Sequence, residues 1–158
     1  MITAHLPAGY VLARTQDWRG PVLWAALLGA IFPDFDLLFF YFIDDRAIHH
    51  HRYWVHAPAF ALACSGAAYL LASRVAKAWT DAIVAFGAAW MVHIVLDSVT
   101  GGIMWLWPVS GDLYRLIEVP GRAGVHFLVA FLTHWTIVFE IAIWIAALGF
   151  AWRQRQFT

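Results

Sequence analysis

The sequence runs to 158 residues with no net formal charge, and it is 63% hydrophobic but only 13% charged. A soluble domain carries about 25% charged residues, so a water-soluble core of this size is excluded, and zero net charge gives no sign of a nucleic-acid partner. The composition predicts one polytopic membrane domain over residues 1–158.

In chain order, the opening MITAHLPAGY lacks the basic start and long apolar run of a cleaved signal peptide, so none is expected. Residues 4–14 and 21–33 predict a short helical hairpin turning at TQDWRGP. Roughly 17–25 residues cross a bilayer, so these short arms must lean on longer helices. Residues 21–43 can be read as one helix kinked at Pro33. The preferred reading stops the helix near Pro33, because the residue before a proline disfavours helical backbone. Asp34-Phe35-Asp36 then lies at the helix end, and LLFFYFI (37–43) forms a short interfacial or lid element.

Residues 57–73, 79–97 and 126–152 are long and apolar enough to cross. They must be helices, since lipid cannot satisfy open backbone groups. Cys64 is expected as a small core residue. Trp105 and Trp107, beside Pro108, predict an interfacial anchor. The fold class is therefore all-α: a polytopic helical membrane bundle of three long transmembrane helices plus a short N-terminal hairpin.

Up-and-down alternation has a chemical consequence. His5 opens the first arm, Asp34 closes the second, His56 opens the helix at 57–73 and Asp97 closes the helix at 79–97. All four fall at one membrane face. Arg14, Arg19, Arg74, Lys77, Arg153 and Arg155 lie on the opposite side, against Arg46, Arg52, Arg115 and Arg122 on the histidine side. The excess of basic residues predicts a cytoplasmic location for the turns and tail, and an external face for the site.

His93 and Asp97 are i, i+4 on a helix and share one face, a workable two-ligand clamp. Asp34 and Asp36 lie two residues apart beside hydrocarbon. Such carboxylates cost several kcal/mol unless paired or bound to a cation. In AIHHHRYWVHAPAF (47–60), His56 and then His51 are the better ligand candidates, while His49 and His50 are expected to be solvated loop residues. Glu140 and Thr136 are i, i+4, so a local hydrogen bond is expected there. The available ligands are imidazole and carboxylate without thiolate, a set suited to Zn²⁺, Mn²⁺ or Fe²⁺. Arg52 adds a planar cation suited to phosphate. Neither a Gly-rich phosphate loop nor a serine nucleophile elbow is present.

GAIFPDFD (29–36), HRYWVH (51–56) and HIVLDSVTGGIMWLWP (93–108), preceded by His5, resemble the blocks of the YdjM-type family of membrane-bound hydrolases, predicted to be metal-dependent. The match covers roughly residues 1–108. Tyr53, Val55 and Ala57 stand where that family has Gly, Thr and a frequent Ser. More distantly, the pattern is similar to the helical zinc-dependent phospholipase C and P1 nuclease class. The resemblance implies a metal site of His5, Asp34, Asp36, His56, His93 and Asp97 holding one or two divalent transition-metal ions, zinc favoured. Arg52 and His51 would lie beside it and, with Asp36, take part in catalysis.

The expected function is hydrolysis by metal-activated water of a phosphoester or phospholipid-like substrate in a bacterial inner membrane. A site with lipid on one side and water on the other suits an amphiphilic or phosphorylated substrate. The competing readings are a cation or proton transporter, and a non-catalytic membrane adaptor with a structural metal.

Overall fold

A computed structural model of the chain describes residues 1, 3–121 and 124–156. Arg122, counted above among the basic residues of the histidine side, lies outside them. The described residues form α1 (His5–Thr15), α2 (Gly20–Ile31), α3 (Asp36–Phe42), α4 (Pro58–Val75), α5 (Thr80–Asp97), α6 (Phe127–Leu132) and α7 (Ile137–Arg155), joined in part by 3-10 turns. The strand-like feature among them is an isolated bridge between Ile103 and Tyr114 in the long loop after α5. The protein is an all-helical bundle.

Among the described residues, three helices are long and apolar enough to cross a membrane: Pro58–Val75, Lys77–Asp97 and Ile137–Arg155. The pair Gly20–Ile31 and Pro33–Phe42 counts as a fourth only if its 52° bend is accepted within one span. The bend falls where the sequence places it. Pro33 has no N–H to give to the carbonyl four residues back, so α2 ends, and a 3-10 turn over Pro33–Phe35 restarts the chain as α3. The LLFFYFI segment is thus a short helix in its own right.

The short hairpin leans on α5 as its length requires. Ala13, Ala26, Ala30, Ala85 and Ala89 form a buried seam among α1, α2 and α5. Small side chains let helix backbones approach closely, the packing available where lipid is as apolar as any side chain. The approach is tightest at Gly29, where an added Cβ would fall 2.2 Å from the Phe86 carbonyl oxygen. A second cluster of Val55, Ala61, Trp90, Ile94 and Ile103 lies beneath the histidine-rich turns. Trp90 fixes those turns to α5 by donating its indole N–H to the Val55 carbonyl (2.7 Å).

Two expectations are corrected. The segment 126–152 is not one helix: it breaks between α6 and α7 at Thr133–Thr136. There the Thr133 hydroxyl donates back to the Val129 carbonyl (2.8 Å), and the Thr136 hydroxyl pairs with His134 Nδ1 (2.9 Å). Short polar side chains that satisfy nearby backbone and one another compete with the helical ladder. Cys64 is exposed and not in the core. It lies on α4, which packs chiefly on α5 and leaves most of its circumference outward.

Candidate metal centre

The ends of α1, α2, α4 and α5 bring seven of the eight candidate residues to one end of the bundle. His5 bridges two carboxylates, with Nε2 3.1 Å from Asp97 Oδ1 and Nδ1 3.3 Å from Asp34 Oδ2. Its ring stacks on His93 at 3.7 Å between centroids. Asp97 turns its other oxygen to a second group: Oδ2 is 3.0 Å from His93 Nε2, 3.4 Å from His51 Nε2 and 3.8 Å from His56 Nε2. Asp36 Oδ2 stands 3.0 Å from His56 Nδ1. His5, Asp36, His51, His56, His93 and Asp97 are all buried, and Asp34 is half-buried.

Two histidines are oriented by backbone carbonyls. His93 gives its Nδ1–H to the Ala30 carbonyl (2.8 Å), one of the last carbonyls of α2, which a helix end leaves without a partner. His51 gives its Nδ1–H to the Gly101 and Gly102 carbonyls, both at 3.0 Å. Each bond leaves Nε2 as the free nitrogen facing the carboxylates. A carbonyl behind the ring is the usual arrangement that fixes the tautomer of a metal-binding histidine. Burial also pushes the His51 imidazole down to about 3, against the pull of Asp97, whereas hydrogen bonds to Asp34 and Asp97 overcome burial and raise that of His5 to about 9.

The remaining polar atoms have no such partner. Asp36 Oδ1 and Oδ2, both ring nitrogens of His56, His93 Nε2 and Asp97 Oδ2 are buried without a hydrogen bond, although several lie within 3.0–3.8 Å of an opposite group. The pairs at 3.0 Å approach off the line a hydrogen bond needs, and those at 3.8 Å are beyond its reach. Donor atoms sharing a tetrahedral zinc at about 2.0–2.2 Å lie roughly 3.3–3.6 Å apart, close to the observed spacing. Among the described residues, three overlapping groups bring ligand atoms within 4.8 Å of one another, close enough to share an ion: His5, His93 and Asp97; Asp34, His56 and His93; and His50, His51 and His56. The residues present therefore fit a divalent ion, and their number leaves room for two.

His50 belongs to this cluster, contrary to the solvated position expected of it. Its Nδ1 is 3.8 Å from Asp36 Oδ1, and its ring lies 4.0 Å from that of His51. A 3-10 turn over His50–Arg52 directs neighbouring side chains inward together, which the run of three histidines does not reveal by itself. His49 is exposed, and its Nδ1 accepts the His51 N–H (3.2 Å). Arg52 is not brought in. Its exposed guanidinium donates to the Gly111 carbonyl (3.0 Å) on the outer loop. Arg115, which no local motif marks, lines the cavity beside the cluster, and its guanidinium donates to Glu118 Oε1 (3.1 Å). The Met1 amino group also reaches Asp97 Oδ1, at 2.5 Å.

Glu140 is buried on α7, outside the cluster. The Thr136 hydroxyl goes to His134, and Glu140 Oε2 accepts the N–H (2.9 Å) and the hydroxyl of Thr3. α7 thus holds the segment that carries His5.

Two cavities meet at the histidines. One, of about 460 Å³, runs beneath the loop after α5 and is lined by Arg115, Thr100 and Gly101. The other, of about 830 Å³, lies between α3 and α6 and is lined by Leu37, Phe40, Ile48, Leu128 and Arg46. Both include Met1, Asp34, His49 and His50 in their walls.

The family model described as YdjM inner membrane protein matches residues 1–157, nearly the whole chain. The chain belongs to the YdjM inner membrane protein family. It is a membrane protein, in keeping with its apolar helices. No curated protein and no solved structure matches the chain. The YdjM match runs past the motifs of residues 1–108 and takes in α6 and α7 as well.

Proposed function

We propose that this YdjM-family protein is a membrane-bound hydrolase that uses one or two divalent transition-metal ions, zinc favoured, to cleave a phosphoester. The carrying observation is the set of buried histidine nitrogens and carboxylate oxygens that face one another without hydrogen bonds. Buried polar groups left unpaired are costly, and a shared cation removes the cost at a stroke. When bound, such an ion lowers the pKa of its water to about 7 and polarises a phosphoryl oxygen.

The chain's own residues supply the rest. His51 and His93 present Nε2 because their other nitrogens are held by carbonyls. Asp97 faces His5 with one oxygen and His93 with the other, so each of its oxygens would be available to hold an ion. Arg115, beside the cluster and in an exposed pair with Glu118 that is readily exchanged, would offer its guanidinium to the anionic ester. In the balanced reaction the water oxygen bonds to phosphorus and the phosphorus–oxygen ester bond breaks. Its electron pair leaves with the ester oxygen, which takes up a proton.

The observations favour neither alternative. A transporter needs ionisable groups along a crossing route, whereas the candidate ligands gather at one end. A purely structural ion would not need cavities leading to it. The basic residues opposite the cluster favour an external site.

Elemental analysis of purified protein tests the proposal together with turnover of a phosphoester. About one or two metal equivalents are expected, with both metal and turnover lost in His93→Ala and Asp97→Ala. Metal-free protein that hydrolyses phosphoesters equally well rejects the reading. Bound metal without turnover of any phosphoester leaves the structural role.

A further inference from the structure

The larger cavity is more than the cluster needs, and its walls are chemically divided. α3 has two faces. Leu37, Phe40 and Tyr41, at i, i+3 and i+4, line the cavity. Leu38, Phe39 and Phe42 point away and are exposed by 56%, 53% and 80%. In a chain built to lie in lipid, that outer face meets the bilayer, so a single short helix separates bilayer from cavity. Leu128 of α6 lines it as well. At its inner end the apolar lining gives way to Asp34, His49 and His50, which also wall the smaller cavity with Arg115. An apolar slot therefore leads to the candidate ligands and on to Arg115, which is held in an exposed pair with Glu118, with Arg46 in the slot's own wall.

We propose that this slot takes the hydrocarbon chain of a bilayer phosphate ester, whose headgroup lies at the cluster facing Arg46 and Arg115. The assignment of that lipid as the substrate rests on the hydrolase reading; its seating in the slot does not. Charge selects the headgroup, since both arginines are suited to phosphate oxygens. Chemistry selects the tail. Aliphatic and aromatic side chains line the slot, and α3 and α6 offer none of the strand edge that an extended peptide needs for pairing.

The test uses the full chain reconstituted in phosphatidylcholine nanodiscs with two photoreactive probes. One is a phosphatidic acid bearing a diazirine midway along one chain. The other is a diacylglycerol with the same labelled chain and no phosphate. Labelling is mapped by peptide mass spectrometry. The phosphate-headed probe is expected to label α3 and α6 at least fivefold more than the neutral one. Leu128→Trp, which fills the slot, should reduce that labelling at least fivefold. Leu37→Trp fills it from α3 and serves if the first variant does not fold. Equal labelling by both probes, labelling spread over the outer faces of α4 and α7, or indifference to both tryptophans would overturn the slot. Labelling requires neither turnover nor metal, so the two readings fail separately. Focused labelling of a protein that binds no metal rejects the hydrolase and keeps the slot. Diffuse labelling with metal-dependent turnover of a chainless phosphate ester does the reverse.

Discussion

His93 Nε2 stands 3.0 Å from Asp97 Oδ2, one helical turn along α5, while the other nitrogen of His93 is committed to the Ala30 carbonyl. The pair is therefore aimed from both ends: the helix fixes the spacing and α2 fixes the ring. Asp97→Asn keeps the shape but removes the charge and half of the oxygen ligands. Metal affinity should fall by more than the ~100-fold typical of losing an outer partner, as read by titration with a competing chelator. Unchanged affinity would place the ion elsewhere.

Gly101 touches the site through His51. A Cβ on Gly101 would lie 2.2 Å from His51 Cε1, so the ring must move. Gly101→Ala should cost ~10–100-fold in metal affinity by disturbing the carbonyl that orients His51. The helices should stay intact by circular dichroism. A variant with full affinity would show that His51 is not a ligand.

Glu140 acts through Thr3, two residues before His5. Glu140→Leu removes the acceptor of both Thr3 donors and should lower stability by about 1–3 kcal/mol, measured by thermal denaturation in detergent. Metal affinity should drop with it. Glu140→Gln retains an oxygen acceptor and should recover most of both losses. If leucine and glutamine behave alike, the contact with Thr3 does not matter.

Metal removal should be visible in stability alone. The buried, unpaired nitrogens and oxygens make the metal-free cluster unfavourable. Free metal at a hundredfold excess over its dissociation constant stabilises a one-site protein by about 2.7 kcal/mol. Chelation should lower the melting temperature and zinc should restore it. A melt indifferent to both would argue against any tight site.

Gly29 tests the seam beneath the cluster. Gly29→Ala places a methyl group against the Phe86 carbonyl and should destabilise the protein by about 1–3 kcal/mol through overpacking. An unchanged melting temperature would mean that α2 and α5 are less tightly apposed.

Much of this arrangement is legible in the sequence because it follows from local rules. Pro33 ends a helix wherever it stands, which puts Asp34 and Asp36 on a bend. His93 and Asp97 share a face by spacing alone. The legible parts stop where contacts are distant. Nothing near Glu140 points to Thr3, 137 positions away. Gly101 and Arg115 reach the cluster only because the loop after α5 folds back over it. His50 was hidden by its neighbours, since a histidine run gives no phase until a 3-10 turn sets one. The break before α7 is carried by Thr133, His134 and Thr136, whose side-chain bonds outweigh an otherwise uniform apolar signal.

The fully buried members of the seam among α1, α2 and α5 are all alanines, so no long side chain lies at its centre to flex. The distance from the end of α2, whose Ala30 carbonyl holds His93, to Asp97 on α5 is thus governed by the stiffness of two abutting backbones. On the proposed metal reading, cations of unequal radius would be accommodated by the 3-10 turns carrying Asp34, His50, His51 and His56. His93 and Asp97 on α5 would serve as a fixed jaw and those turns as the adjustable one.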